Sequence, residues 1–230
     1  MRLCDALACG LAQLLAELAG DGAASALEPI GDGEGLLLAE EALLARAVPS
    51  RRREFAAGRR CARRALRAVG CPPAPLPIGP LGAPIWPPGF SGSITHDRRF
   101  AAAIAYRSES GRVTVSLDML ERVNDADFLE IAETVTTADE RRSGRQDPAD
   151  VARLFSAKEA AIKILSPALG RLLDFQELTA VAHGEELAVT MAGNLTVLVR
   201  SIEIERVIIS LGRLRCGRST GDRQRPSPGG

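Results

Sequence analysis

The sequence predicts an α+β protein built as two lobes, residues 1–112 and 113–215, followed by a disordered tail over 216–230. Three observations carry this expectation. Alanine- and leucine-rich runs with helical spacing occur in both halves. Each half also holds short β-branched runs bounded by Gly, Ser or Asp. Between the helices and strands of the first half lies a proline-rich connector, 72–88, which can be neither helix nor central strand.

Taken in order, residues 3–19 form an apolar helix. The Gly/Asp/Glu-rich stretch 20–35 reads as loop, with a short strand around 24–27. Residues 36–48 are helical, and Pro49 opens the next element at an N1-like position. Between 50 and 67 stand eight arginines against one glutamate. Phe55, Ala62, Leu66 and Val69 recur there near helical spacing, so one stripe packs and the rest is guanidinium. The connector holds the only tryptophan, Trp86, read as core. Residues 92–96 make a short strand ending in the polar corner Thr95-His96. Residues 100–106 and 113–119 form a hairpin around 108–111. In its second strand Thr114, Ser116, Asp118 and Leu120 share one face, which leaves Asp118 a lone carboxylate near the strand end. Residues 127–135 are helical, and Thr137 with Glu140 spells a capping box. An alanine-rich helix carries Leu154 to Leu165 and is closed by Ser166-Pro167. Four strands in a meander follow, at 178–182, 187–191, 195–205 and 207–211.

Composition bounds the function. The chain of 230 residues has 29 basic and 29 acidic residues, so no global field draws it to nucleic acid or membrane. Five scattered cysteines, without a CxxC pair, argue for free thiols rather than a disulfide framework or a zinc site. Neither a signal peptide nor a run of about 18 apolar residues is read. A cytoplasmic location is expected.

The most pointed signal is a pair of lysines. Of the 29 basic residues, 27 are arginine, and the two lysines are Lys158 and Lys163, with Glu159 between them. On a helical wheel the three fall within about a 140° arc, with Leu154, Ala157, Ala161, Ile164 and Leu165 read as the packing side. A solvated Glu159–Lys163 pair is the plain alternative, but arginine would serve that equally well. Lysine is a compact point charge and a common phosphate ligand. The arginine helix, the Thr-His corner, Asp118 and the Lys-Glu-x-x-x-Lys face together are the parts for a polyphosphate ligand with a divalent metal. Neither a Walker A loop nor a Rossmann glycine fingerprint is present, so side chains must hold the phosphate. Nucleic-acid binding by the arginine helix is disfavoured, because no aromatics interleave to stack bases.

These segments resemble the Sfp/EntD-type 4′-phosphopantetheinyl transferases. The matching text is Arg51 to Leu66, Trp86 to His96, Leu117-Asp118, and Phe155-Ser-Ala-Lys158-Glu159-Ala-Ala-Ile-Lys163. The resemblance implies two similar α/β lobes related by a pseudo-twofold, with coenzyme A in the cleft between them. It implies transfer of phosphopantetheine from coenzyme A to a serine of an acyl or peptidyl carrier protein, releasing 3′,5′-ADP. Carried over, Arg51 and Arg59 contact the nucleotide and its 3′-phosphate, and His96 with Thr95 also binds that phosphate. Asp118 and Glu159 hold Mg²⁺, Glu159 takes the serine proton, and Lys158 and Lys163 bind the diphosphate and stabilise the departing charge. Family members of this length are usually monomers. The resemblance leaves the carrier open among fatty acid, polyketide, nonribosomal peptide and siderophore synthesis.

Three positions depart from the family pattern. Leu120 replaces a middle acid, Ser116 a glycine, and Leu81 a frequent basic residue, so weaker Mg²⁺ and coenzyme A binding is expected. Glu121 points from the opposite strand face and does not substitute for that acid. A second reading follows from the same departures: a degenerate homologue that binds coenzyme A or a carrier protein without turnover.

Overall fold

A computed structural model describes residues 2–44, 47–108, 113–191 and 195–215. The chain runs α1 (Leu3–Ala19), β1 (Ala23–Pro29), α2 (Leu38–Glu41), α3 (Pro49–Ala68), β2 (Phe90–His96), β3 (Phe100–Arg107) and β4 (Val113–Glu121). It continues through α4 (Asp125–Glu130), α5 (Ala132–Val135), α6 (Ala138–Arg142) and α7 (Pro148–Leu169) to β5 (Leu178–His183), β6 (Glu186–Met191), β7 (Leu195–Ile204) and β8 (Val207–Arg215). Two antiparallel sheets result, ordered β1-β3-β2 and β4-β8-β7-β6-β5. The α+β class holds.

The expected hairpin of β3 with β4 does not form. β3 lies between β1 and β2 in the first sheet, and β4 pairs instead with β8. The reason is burial. Residues 100–106 are buried throughout, so β3 needs cover on both faces and partners on both edges. The turn expected at 108–111 lies largely outside the described residues, as does the expected tail over 216–230. The loop over 20–35 gives way to a longer β1, and the helix read over 36–48 shrinks to α2 and a 3₁₀ turn at Ala42–Leu44. Pro49 does sit at N1 of α3. The helix expected to close at Ser166-Pro167 continues to Leu169, because Gly170 at φ 68° caps it one turn later.

Each half lays one long helix on its sheet, α3 over β1–β3 and α7 over β4 and β8. A third core, from α1 with β3, β4 and β8, joins the two sheets. The halves also repeat a buried device. In the first, Glu40 is the third residue of α2 and its side chain accepts the Leu37 and Leu76 N–H groups, each at 3.0 Å. Arg63 of α3 meets its other face at 2.5 Å. In the second, Glu140 is the third residue of the Thr137 capping box and accepts the Thr137 N–H at 2.7 Å and the Ala180 N–H at 2.6 Å. Lys158 of α7 meets it at 2.8 Å. A glutamate that stitches a short helix to the next segment is neutralised, in both halves, by a cation from the long helix.

Candidate active site

The registered pairing of β4 with β8 and the crossing of α7 over β4 bring Asp118 under α7. Alternation along β4 is as read: Val115, Leu117 and Met119 enter the core shared with α1, while Ser116 and Asp118 face α7. Asp118 is 6% exposed and held on both oxygens. Its Oδ1 accepts from Lys163 Nζ at 2.7 Å and from Thr95 Oγ1 at 3.4 Å, and its Oδ2 accepts from Ser156 Oγ at 2.8 Å. A carboxylate offers about four acceptor positions, so roughly one is left for the cleft.

That cleft, about 690 Å³, is lined by Glu54, Thr95, His96, Asp118, Leu120, Glu159 and Lys163, with Phe155 at one wall. Glu159 is pushed above its ordinary carboxylate range by burial and by the Asp118 charge, against the pull of Lys163. Lys163 gives two N–H groups, to Asp118 and to the Leu117 carbonyl at 3.0 Å, and a third remains for a ligand. It also lines a second, more apolar cavity of about 370 Å³ with Leu81, Trp86, Ser93, Ser116 and Leu172. Lys163 therefore stands where a charged cleft meets an apolar one.

At the other end of the cleft, Arg51 Nη1 lies 3.1 Å from His96 Nε2. A guanidinium only donates, so Nε2 accepts and the ring proton sits on Nδ1. Burial lowers the His96 pKa against the opposing effect of Glu54. His96 is thus held neutral, and Arg51 carries the positive charge of that corner.

Three expected roles meet a different arrangement. Lys158 does not share the cleft with Glu159 and Lys163. It is fully buried, and its ammonium is filled by the Val135 carbonyl at 2.7 Å, Glu140 at 2.8 Å and the Phe175 carbonyl at 3.2 Å. At 100° per residue Lys158 lies only about 20–60° from Leu165, Leu154 and Ala161, so it belongs to the packing side of α7. Arg59 is 5% exposed, donates Nε to the Leu76 carbonyl at 2.8 Å and stacks over Phe55. Thr95 borders the cleft, but its hydroxyl ties β2 to β4, accepting the Met119 N–H at 3.1 Å while bonding Asp118.

The departures find structural explanations. Ser116 donates to the Ala160 carbonyl at 2.6 Å, and it has room because Gly212 stands opposite on β8. A Cβ on Gly212 would sit 2.7 Å from that hydroxyl. Leu120 packs against the α7 core while bordering the cleft. Glu121 pairs with Arg99 at 2.8 Å. Trp86 packs on the core beneath α3 and also borders the second cavity.

The sequence reading missed Ser156. Its signal was available, since on the wheel it lies about 20° from Lys163 and about 60° from Glu159.

Among the described residues, no three His, Cys, Asp or Glu gather into a ready-made metal site. Asp118 and Glu159 nevertheless fit Mg²⁺, which takes one or two carboxylates and completes its shell from water and substrate phosphates. No helix among the described residues is long and apolar enough to cross a membrane.

Comparison with known proteins points to one family. The 4′-phosphopantetheinyl transferase N-terminal domain family matches residues 39–106, and the 4′-phosphopantetheinyl transferase superfamily matches residues 115–202. The chain is 39% identical over 154 residues to the 4′-phosphopantetheinyl transferase Svp of Streptomyces mobaraensis, covering 64% of this chain and 61% of that protein. It is 38% identical over 156 residues to PptT of Mycobacterium tuberculosis, covering 65% and 67%. It is 36% identical over 120 residues to enterobactin synthase component D of Salmonella typhi, covering 50% and 49%. The chain spans about three fifths of the length of the first curated relatives it matches.

Proposed function

The chain belongs to the 4′-phosphopantetheinyl transferase superfamily, and from that premise we propose that it moves 4′-phosphopantetheine from coenzyme A to a serine of an acyl or peptidyl carrier protein. One observation carries the reading: Asp118, Glu159 and Lys163, drawn from a strand and a helix, line one cleft, with Lys163 paired to Asp118 at 2.7 Å.

Coenzyme A has a charged nucleotide end and a neutral amide arm. The two cavities that meet at Lys163 match that division, one lined by ionic side chains and one largely apolar. Arg51 faces the nucleotide, and Lys163 binds the diphosphate with the N–H that Asp118 and Leu117 leave over. Glu159, its carboxyl raised above the ordinary carboxylate range by burial and Asp118, accepts the proton of the carrier serine. The serine oxygen then forms a bond to the β-phosphorus, and the bond from that phosphorus to the bridging oxygen breaks, releasing 3′,5′-ADP. Lys163 offsets the charge on the departing oxygen. Mg²⁺ held by Asp118 and Glu159 supplies neutralisation of the diphosphate. The thiols of Cys4, Cys9, Cys61 and Cys71 are free, which suits a reducing cytoplasm.

The test is incubation of the purified chain with coenzyme A, Mg²⁺ and apo-carrier protein. The reading expects a phosphopantetheine mass gain on the carrier that disappears in Glu159→Ala. Leu120, an apolar side chain bordering the cleft where the family pattern has an acid, favours one second reading, binding without turnover. Calorimetric uptake of coenzyme A with no product on a panel of carriers would establish it.

A further inference from the structure

Three serine hydroxyls run in line from Asp118 through the larger sheet. Ser156 Oγ on α7 lies 2.8 Å from Asp118 Oδ2 and 2.9 Å from Ser210 Oγ on β8. Ser210 Oγ lies 2.8 Å from Ser201 Oγ on β7. The register explains the line, since Asp118 pairs with Ser210 and Ser210 with Ser201. Ser156 and Ser210 are both 0% exposed. Asp118, Ser210 and Ser201 thus lie side by side across a sheet whose neighbouring positions Leu117, Ile209 and Leu211 are fully apolar, with Ser156 of α7 bridging the first two.

Each hydroxyl has one proton, so the direction of the chain is fixed by its end. Asp118 accepts, therefore Ser156 donates to it. Ser156 must then accept from Ser210, and Ser210 from Ser201. Every dipole points its positive end toward the Asp118 carboxylate. Aligned hydrogen bonds of this kind polarise one another.

We propose that Ser156, backed by Ser210, is a positioning residue that fixes the plane of the Asp118 carboxylate and lets it act as a ligand for the Mg²⁺–diphosphate of coenzyme A. Oδ2 is anchored by Ser156 of α7. Oδ1 is thereby turned to Lys163 and the cleft, and cannot rotate without breaking the buried chain. The inference rests on the transferase reading only for the identity of the ligand.

The full chain is titrated calorimetrically with coenzyme A, once in Mg²⁺ and once in EDTA. Wild type is expected to bind more tightly in Mg²⁺. Ser156→Ala narrows that gain by on the order of tenfold, with affinity in EDTA unchanged. Ser210→Ala shows a smaller change in the same direction and decides the matter if Ser156→Ala does not fold. A simple packing defect would weaken both titrations alike. A gain retained in full by both variants overturns the proposal. Carrier modification by wild type is measured in parallel. Transfer with an unaltered gain sinks the positioning role alone. Absence of transfer with a gain that Ser156→Ala narrows sinks the transferase reading alone. A wild type whose coenzyme A binding ignores Mg²⁺ sinks both.

Discussion

Replacing Lys158 by Met separates a structural lysine from a catalytic one. The ammonium meets three oxygens, from Val135, Glu140 and Phe175, and is fully buried. Removing it strips the Glu140 carboxylate of its cation in a place no water reaches. Breaking one partner of a buried pair costs about 3–5 kcal/mol. Glu140 keeps the N–H groups of Thr137 and Ala180, which sets the expectation at the lower end, about 3 kcal/mol. For a chain of this length that is a fall in melting temperature of roughly 6–12 °C. Below the lowered midpoint, carrier modification should proceed within about threefold of wild type, because a residue outside the cleft contributes nothing specific to the transition state. The double variant Lys158→Met/Glu140→Leu should recover much of the loss, since a buried ion pair replaced as a unit by apolar groups is often near neutral. Calorimetric melting and the carrier mass assay, run on the same preparations, read both quantities. A Lys158→Met protein that melts like wild type yet modifies no carrier would refute the reasoning and return Lys158 to the chemistry.

Glu159→Gln should lose transfer while gaining stability in EDTA at neutral pH. Its folded carboxyl is raised above the ordinary 4.5 by burial first and Asp118 second, so the folded state binds more protons and wild-type stability falls as pH rises through that window. The advantage of Gln should therefore be full at pH above the raised value and vanish below the ordinary one, as thermal melts across pH would reveal. Gly212→Ala should destabilise by about 1–3 kcal/mol through overpacking against Ser116 Oγ and Val197. Adding Ser116→Gly should relieve part of that loss, a coupling a double-mutant cycle of denaturant melts would measure; additive losses would contradict it. Leu120→Glu places a further acid in the cleft with Asp118 and Glu159, and Mg²⁺ should then activate at several-fold lower concentration in titrations of transfer rate.

The elements with strong local signals were legible, and those that depend on long-range partners were not. The α7 pattern, Pro49 at the start of α3, the Thr137 capping box and the β5–β8 meander all announce themselves within a few residues. The pairing of β4 with β8 does not, because it joins segments nearly a hundred residues apart and the sequence between β3 and β4 looks like an ordinary turn. At the site, Asp118, Glu159, Lys163 and His96 were found from residue type and spacing, and the structure brings them to one cleft. Lys158 was misplaced because the two lysines were read as a unit. Wheel positions about 140° apart put them on different faces of one helix, and only the partner Glu140, from another element, makes the buried position tolerable.

The cation pattern then has a physical explanation that composition alone could not supply. Four of the eight guanidinium groups of α3 are paired within the first half: Arg60 and Arg64 with Glu28, Arg63 with Glu40, and Arg52 with Glu41. The arginine-rich helix is therefore in part an internal fastening, and Arg51 at its start is what reaches the His96 corner. Arg63 and Lys158 play the same part in the two halves, each neutralising a glutamate that reaches back to the N-terminus of its short helix. The first site keeps 15% of its side chain exposed and accommodates a wide planar fork. The second is closed to solvent and presents three oxygens around one point. A compact ammonium with three rotatable donors fits that cage, and a guanidinium with five fixed ones does not. The rarity of lysine in this chain thus marks two different demands, a closed three-acceptor cage at 158 and a point charge between two acids at 163. Lys158→Arg should accordingly destabilise despite conserving charge, whereas Arg63→Lys should be tolerated.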